Sequence, residues 1–302
     1  MIEGKSIVRA ARIRFIACAA IVPIAGLVPA AHAAGPPETV VPIAGFAPAA
    51  HTAGPPESSV SLGAEYSRGG YGFSQATRIA YFPVTLKYDA DRYAMSLTLP
   101  YLVVSGPGNV VVAGGAGIPN GCGGCPLTCV PPSCPPGQAS ATRTASGLGD
   151  ILLKGSLNLQ MQDMNRPRLD LTAKVKLGTA DRSLGTGEND YSVQLDLERS
   201  FGASSLFGSL GYKIMGEPPG VDYNNVAYGA IGGSTRLSDT ASGGLVLDAQ
   251  EPVLAGVAPL RTLTLFLSKK IDAKTRVTPY VLKGVGNGSP DWGVGIALKL
   301  IQ

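Results

Sequence analysis

Residues 168–177 read RLDLTAKVKL, and this stretch decides the fold because apolar and polar side chains alternate along it. One set is apolar: Leu169, Leu171, Ala173, Val175 and Leu177; the other is polar: Asp170, Thr172, Lys174 and Lys176. Because a strand has a side-chain period of two, the two sets lie on opposite faces. In a soluble sandwich the charged face would meet bulk water. In a membrane barrel the apolar face would meet lipid and the charged face would line a wet lumen.

The same alternation recurs in the rest of the chain and predicts twelve strands, at 58–67, 77–89, 92–104, 148–162, 167–177, 190–200, 205–214, 224–236, 242–250, 261–270, 275–283 and 291–301. Short turns alternate with longer connections, of which the longest spans residues 105–147. An even number of strands with short turns at one end and long loops at the other is typical of outer-membrane barrels. We therefore predict an all-β fold, a transmembrane antiparallel β-barrel of about 12 strands with both termini periplasmic.

The aromatic residues provide a second test of the barrel, because they gather near the predicted strand ends. Those expected at the loop end are Tyr66, Tyr101, Tyr191, Tyr212 and Trp292, and those expected at the turn end are Tyr88, Tyr93 and Phe201. Amphipathic rings favour the lipid–water boundary. Two such bands predict an outer and an inner girdle rather than the uniform spread that strand propensity alone would give.

The N-terminal region predicts export. Residues 1–33 resemble a secretory signal, with four basic residues before an apolar run and Ala31-His32-Ala33 as the cleavage site. Cys18 leaves a lipoprotein signal as the alternative. Residues 34–56 form a Pro-, Ala- and Gly-rich extension. Most of it belongs to residues 41–57, which nearly repeat residues 22–38. The barrel is expected over 57–302, and no later apolar run approaches the ~18 residues of a spanning helix.

Charge and histidine content exclude several classes of function. The net charge of +4 falls close to neutral once the basic signal is removed, which argues against nucleic acid as a partner. The two histidines, His32 and His51, both precede the predicted barrel. The barrel therefore lacks an imidazole for general acid–base catalysis, so we predict no enzyme activity and no cofactor. Its expected partners are outer-membrane lipid and small-molecule solutes; the oligomeric state does not follow from the sequence.

The long predicted loop carries four cysteines, at Cys122, Cys125, Cys129 and Cys134. In an oxidising compartment four cysteines indicate two disulfides, for which three pairings exist. A four-thiolate metal site is the alternative, although the uneven spacing favours disulfides.

The same loop lacks charge, since no charged residue occurs from Tyr93 to Thr142, and it carries the apolar run Val110-Val111-Val112. Long loops in compact domains are usually functional or disordered. One hypothesis is that the loop folds into or over the lumen as a constriction or plug. The alternative is an external low-complexity loop.

Charged residues on the polar side of the predicted strands are the candidates for contact with solutes. The lumen-facing candidates are Lys154, Asp170, Lys174, Lys176, Asp196, Glu198, Lys213 and Lys283; the same pattern places Glu65, Lys87, Asp248 and Lys299 inside. Lys174 and Lys176 are expected near Asp196 and Glu198 on the next strand, where opposite charges stabilise a sheet by ~0.2–1 kcal/mol per pair. Whether these side chains brace the wall or touch solutes stays open, as does any ion preference.

Four glycine-containing motifs carry a family resemblance. Residues 146–150 (SGLGD), 184–191 (LGTGENDY), 211–212 (GY) and 216–219 (GEPP) resemble the family of outer-membrane transporters of the meta pathway of phenol degradation. The resemblance covers roughly 146–302 and implies a channel for small, often aromatic molecules. We therefore expect an outer-membrane channel for passive uptake of small, weakly polar or aromatic solutes. The alternative is a structural or surface-interaction barrel with a plugged lumen and no transport role.

Overall fold

A computed structural model describes residues 56–120, 142–163 and 166–302. The described chain is all β, and its strands are β1 (Glu57–Gly69), β2 (Thr77–Asp89), β3 (Tyr93–Gly106), β4 (Val110–Ala113), β5 (Ala116–Pro119), β6 (Arg143–Leu148), β7 (Ile151–Gln160), β8 (Arg168–Leu177), β9 (Asp190–Phe201), β10 (Ser204–Ile214), β11 (Val226–Arg236), β12 (Ala241–Gln250), β13 (Leu260–Lys270), β14 (Thr275–Gly284) and β15 (Trp292–Ile301). The signal, the N-terminal extension and the four cysteines of the long loop lie outside the described residues.

The wall is a closed antiparallel barrel of 12 strands, as the alternation predicts. Each strand pairs with its neighbours along the chain, and β1 pairs with both β2 and β15, which closes the sheet on itself. Closure satisfies the backbone hydrogen bonds along the wall, although the short β6 pairs with β3 alone. The chain enters β1 and leaves β15 at the end of the barrel that carries the short turns, where Gln302 N–H donates to the Ser58 carbonyl at 2.9 Å.

One strand of the wall differs from its prediction at 148–162, because strand structure begins earlier, at Arg143 in the predicted loop, and is interrupted at 149–150. β6 pairs with the upper part of β3 and β7 with its lower part, and residues 149–150 interrupt them. The carboxylate of Asp150 accepts hydrogen bonds from Lys176 Nζ and from the Ala180 backbone N–H, both at 3.0 Å. Alternation does not reveal this break, because an inward-turned carboxylate is also what a continuous strand would show.

The outer surface of the wall is apolar, and its aromatic residues form the two predicted girdles. Outward leucines such as Leu195, Leu210 and Leu265 are about half exposed, at 47, 61 and 58 %. At the loop end the rings of Tyr66 and Trp292 are tilted against each other with centroids 5.6 Å apart, and at the turn end the ring centroids of Tyr88 and Tyr93 lie 6.1 Å apart. An apolar belt bounded by aromatic rings, on a closed wall, is the architecture of a transmembrane barrel. No helix in the described part of the chain is long and apolar enough to cross a membrane.

Candidate functional site

The mouth of the barrel at the loop end is occupied by a small hairpin formed by β4 and β5, called here the mouth hairpin. Ala113 pairs with Ala116, and the two-residue turn between them is Gly114-Gly115, both with positive φ. Such a turn requires left-handed backbone at both positions, which glycine adopts without strain. All eight strand residues of the hairpin are buried, so the first part of the uncharged loop folds inward.

One face of the mouth hairpin packs on the barrel wall. Val110 and Val112 contact inward side chains of β2 and β3 and two residues of the β8–β9 loop; these are Ile79, Tyr81, Leu102, Val104, Ala180 and Leu184. The Val112 N–H also donates to the carbonyl oxygen of Leu184 at 2.7 Å. This face is thus held by apolar packing and by one backbone hydrogen bond.

The other face packs on loops that rise from the far side of the barrel. Val111, Ala113 and Ile118 share a cluster with residues of the β10–β11 and β12–β13 loops; these are Met215, Val221, Tyr223 and Val253, together with Val226 at the start of β11. The hairpin therefore lies across the mouth, between the β2–β3 wall and the opposite loops. Its two buried faces explain why the sequence shows a continuous valine run rather than alternation.

A side-chain hydrogen bond fastens the end of the mouth hairpin. The Tyr223 hydroxyl donates to the Pro119 carbonyl oxygen at 3.1 Å. Burial raises the pKa of the Tyr223 hydroxyl above its ordinary value, so the group stays protonated and able to donate throughout the neutral range. This tether joins the hairpin to the β10–β11 loop without depending on pH near neutrality.

Below the mouth, the inner faces of β7, β8 and β9 carry a buried network of charges. Arg168 Nη2 lies 2.7 Å from Glu198, and its Nε lies 3.0 Å from Asp170. Asn158 also donates to Asp170, and Thr172 donates to Asp196 at 2.7 Å. Buried charges are stable only when paired and hydrogen-bonded, and these contacts place Asp170, Asp196 and Glu198 within the wall structure.

A second buried group lies nearer the mouth and is centred on Lys176. Its Nζ lies 3.0 Å from Asp150 and 3.3 Å from Asp190, and it donates to Thr186 Oγ1 at 2.7 Å. Because Asp150 and Thr186 belong to the wall break and to the β8–β9 loop, Lys176 holds that loop against the barrel.

The register corrects the expected pairing of Lys174 and Lys176 with Asp196 and Glu198. Arg168 stands opposite Glu198, Asp170 opposite Asp196, Lys174 opposite Ser192, and Lys176 opposite Asp190. The two strands are therefore displaced relative to the expected alignment, since β8 starts with Arg168 and the β8–β9 loop fixes the upper end. Lys174 instead donates to the Gln194 side chain at 2.8 Å.

The remaining candidates divide between the two faces. Lys154 and Lys213 lie on the inner face and are half-buried, and Lys213 donates to the Gln250 side chain at 3.0 Å. Lys283 was expected inside and is on the outer face, because Tyr280 and Leu282 point inward and Lys283 alternates with them. It pairs with Trp292 in the outer girdle, where a lysine can extend its ammonium group to the headgroup region.

The inner face of β10–β14 carries a cluster of apolar side chains among its polar ones. Its buried cluster is Phe207, Tyr228, Ala230, Val246, Phe266, Tyr280 and Leu282. Each of its four rings lies against a glycine directly opposite on the neighbouring strand; the pairs are Phe207–Gly232, Tyr228–Gly211, Phe266–Gly244 and Tyr280–Gly295. The missing Cβ lets each ring lie back over the adjacent strand.

One of these rings makes a buried hydrogen bond across the barrel seam, where the first and last strands meet. The Tyr280 hydroxyl on β14 lies 2.6 Å from Glu65 Oε2 on β1, and Gly295 on β15 stands between them in register with both. Glu65 and Tyr280 are 4 and 8 % exposed. The hydrogen bond therefore joins β14 to β1 over the backbone of β15.

Sequence reasoning did not select several residues that shape the lumen: Asp150, Arg168, Asp190 and the inward rings. Arg168 could have been found, since it is in phase with Asp170 and Thr172. Within the described residues, no group of three or more His, Cys, Asp and Glu side chains is placed to hold a metal ion. Cys122, Cys125, Cys129 and Cys134 lie outside those residues, so their pairing stays a prediction.

Neither a known family profile nor a curated protein sequence matches this chain. Solved structures of similar shape include the KdgM porin in complex with disordered oligogalacturonate, with 8 % identity, a TM-score of 0.47, and coverage of 80 % of this chain and 98 % of that one. They also include the NanC porin, with 7 % identity, a TM-score of 0.48, and coverage of 80 and 98 %. A third is the translocator domain of the autotransporter NalP from Neisseria meningitidis, with 11 % identity, a TM-score of 0.48, and coverage of 83 and 89 %. These likenesses are too distant to assign a function, and the resemblance to phenol-pathway transporters stays a prediction.

Proposed function

We propose that this chain is an outer-membrane channel for the passive uptake of small, weakly polar or aromatic solutes. The observation that carries the proposal is the contrast between its two faces. The outer face is an apolar belt between aromatic girdles, and the inner face includes polar side chains that are partly exposed to solvent, among them Ser96, Lys154 and Lys174. A polar interior behind an apolar belt is what a membrane pore requires.

The orientation follows from the loops and turns. In bacterial outer-membrane barrels the short turns face the periplasm and the long loops face outward. The mouth hairpin would then lie at the external entrance, and both chain ends of the barrel at the periplasmic side. Solute would enter past an apolar gate, because the hairpin and the surrounding loops present valine, leucine and tyrosine side chains to one another.

The pairing of rings with glycines supports a preference for weakly polar solutes. By lying over neighbouring strands, the rings of Phe207, Tyr228 and Phe266 extend along the wall rather than across the lumen. The interior then offers ring faces beside hydrogen-bonding groups, which suits molecules with an apolar body and a few polar groups.

The buried mouth hairpin also favours a second candidate, a plugged barrel with a structural or surface-interaction role. All strand residues of the hairpin are buried, and a permanently closed mouth would prevent transport. The two candidates differ in whether the hairpin moves.

Swelling of liposomes that contain the purified protein separates the candidates. We expect swelling with an aryl glucoside and with methyl glucoside, both uncharged and poorly permeable through lipid. After allowance for its larger size, the aryl compound should give the faster swelling. Protein that shows the heat-modifiable migration of a folded barrel and yet permits no swelling with either solute would establish the plugged barrel instead.

A further inference from the structure

Lysine and serine residues form one continuous row across six neighbouring strands of the inner wall. Lys87 on β2 stands opposite Ser96 on β3, and Ser96 stands opposite Lys154 on β7. Lys154 is directly opposite Lys174 on β8. The row continues from Lys174 through Ser192 on β9 to Lys213 on β10, and is called here the lysine row.

The lysine row climbs from one end of the barrel to the other. Lys87 lies near Asp89, the last residue of β2 at the turn end, whereas Lys213 lies next to Ile214, the last residue of β10 at the loop end. Strands in a barrel are tilted and staggered, so a line of directly opposed residues rises around the wall. The four ammonium groups are therefore spaced along the length of the lumen.

Solvent reaches the lysine row but not the acidic side chains around it. Every member of the row is partly exposed. The acidic residues of the inner wall other than Glu57 are buried, at 5 % exposure or less: Glu65, Asp89, Asp150, Asp170, Asp190, Asp196, Glu198 and Asp248. Several of them are held by Arg168 or Lys176, which are themselves buried. The charge that a solute meets along this row is thus mainly positive.

The repulsion within the row argues that it is not a device for stability. Like charges directly opposite each other destabilise a sheet, and Lys154 and Lys174 occupy such a pair. The ring of Tyr228 offsets part of this cost, since it lies 5.4 Å from Lys174 Nζ and 5.8 Å from Lys213 Nζ. Lys87 also has an ion pair with Asp89 at 2.7 Å. Lys154 and Lys174 form the central part of the row.

We infer that the lysine row guides small organic solutes that carry an oxyanion, such as a carboxylate or a sulfonate. Ammonium and hydroxyl groups are both donors, and a row that alternates them offers successive hydrogen bonds to anionic oxygens. Clefts lined by one sign of charge concentrate the opposite ion, and lysine-lined pores select anions. This inference rests on the proposed channel function and adds that, among small organic solutes, those that carry an anionic group pass more readily than cationic ones.

Reversal potentials in planar bilayers test the inference. In a steep KCl gradient, the full chain is expected to pass chloride more readily than potassium. In a gradient of trimethylphenylammonium benzenesulfonate, the sulfonate is expected to permeate better than the aromatic cation of similar size. Both ions stay charged at all working pH values, so the comparison depends on the sign of charge alone.

Matched lysine substitutions locate the effect. Lys154→Gln and Lys174→Gln should each lower the anion-to-cation permeability ratio several-fold, and the double variant should bring it close to unity. Lys269→Gln and Lys283→Gln make the same chemical change on the exposed outer face and should leave the ratio unchanged. Lys213→Gln serves if either central variant fails to show heat-modifiable migration.

The outcomes distinguish the inference from the function on which it rests. A channel that conducts without preferring anions, or whose preference is unaffected by the row variants, would overturn the proposed role of the lysine row and leave the proposed channel function intact. A folded barrel that neither conducts nor supports swelling with uncharged glucosides would overturn both.

Discussion

Val112 of the mouth hairpin donates its backbone N–H to the carbonyl oxygen of Leu184, at 2.7 Å, and so joins the hairpin to the loop that follows β8. This bond and the two apolar clusters on either side fix the hairpin across the mouth. Whether conduction requires the hairpin to leave this position can be tested by removing it.

Replacing residues 107–142 by Asn-Gly should raise conductance several-fold. Gly106 stands opposite Arg143, so a two-residue hairpin turn can join β3 to β6 without disturbing the wall. Single-channel recording measures the change. The control replaces only 121–141 by a short Gly-Ser linker and keeps the mouth hairpin; we expect its conductance to stay near that of the full chain. Equal conductance in all three proteins would show that the hairpin is no constriction.

Tyr223→Phe should weaken the closed position of the mouth hairpin. It removes the hydrogen bond to the Pro119 carbonyl oxygen, and a bond of this kind contributes ~0.5–1.5 kcal/mol. More frequent openings in single-channel traces are expected. Tyr212→Phe removes a hydroxyl from an outer tyrosine that is 48 % exposed and should leave the traces unaltered; a similar response to both substitutions would contradict the tether.

Gly295→Ala should destabilise the barrel, because the new methyl group would overlap the ring of Tyr280. Overpacking of this kind typically costs ~1–3 kcal/mol. A lower temperature for the loss of heat-modifiable migration would report it. Gly155→Ala is the control, since nothing lies within 4 Å of a Cβ built there. If the two variants melt together, the ring does not depend on the glycine.

Arginine substitutions should be tolerated on one face of the wall only. Leu195→Arg places a charge on the lipid-facing side, where it costs ~2–4 kcal/mol near the midplane, so less folded barrel should be recovered from lipid vesicles. Thr85→Arg places the charge on the inner face at a partly exposed position opposite the uncharged Ser61 and Thr98 and should fold. Gln194 is a poor choice for an inner arginine, because it is 1 % exposed and bonded to Lys174. Equal yields from the two variants would show that the faces are assigned wrongly.

The four cysteines of the long loop should form two disulfides, as their number and the exported signal predict. Mass spectrometry of the unreduced loop peptide should find it four hydrogens lighter than the reduced form. Replacing all four by serine should leave heat-modifiable migration intact, because backbone hydrogen bonds close the wall. Free thiols that retain zinc through purification would favour the metal site.

The strands of the wall were predictable because each has one lipid-facing side, and lipid enforces alternation. Eleven of the predicted segments correspond to single strands within two residues at either end. The prediction at 148–162 missed both the earlier start at Arg143 and the break at 149–150. The inward or outward orientation of a side chain was harder to predict where a charged residue lies on the outer face near a strand end. Lys283 was assigned to the lumen for its charge, although Tyr280 and Leu282 determine the phase of β14.

The lumen was less predictable than the wall, because it depends on how strands are aligned with one another. The alignment of Lys154 with Lys174, and of Arg168 with Glu198, follows from the stagger of the whole barrel. Alternation within a single strand holds no information about that stagger. The two strands of the mouth hairpin were not predicted, for another reason. Both faces of the hairpin are buried, so Val110 and Val111 lack the polar neighbours that indicate a strand.

The hydrogen bond between Glu65 and Tyr280 has a consequence for assembly. A slip of one residue between β1 and β15 would turn Glu65 outward into lipid and separate it from the Tyr280 hydroxyl. Only the correct alignment of the first and last strands buries this carboxylate with a donor. The hydrogen bond thereby favours the correct register at closure. A misaligned barrel would retain an unsatisfied acid in the membrane and would reopen more readily than the correctly closed one.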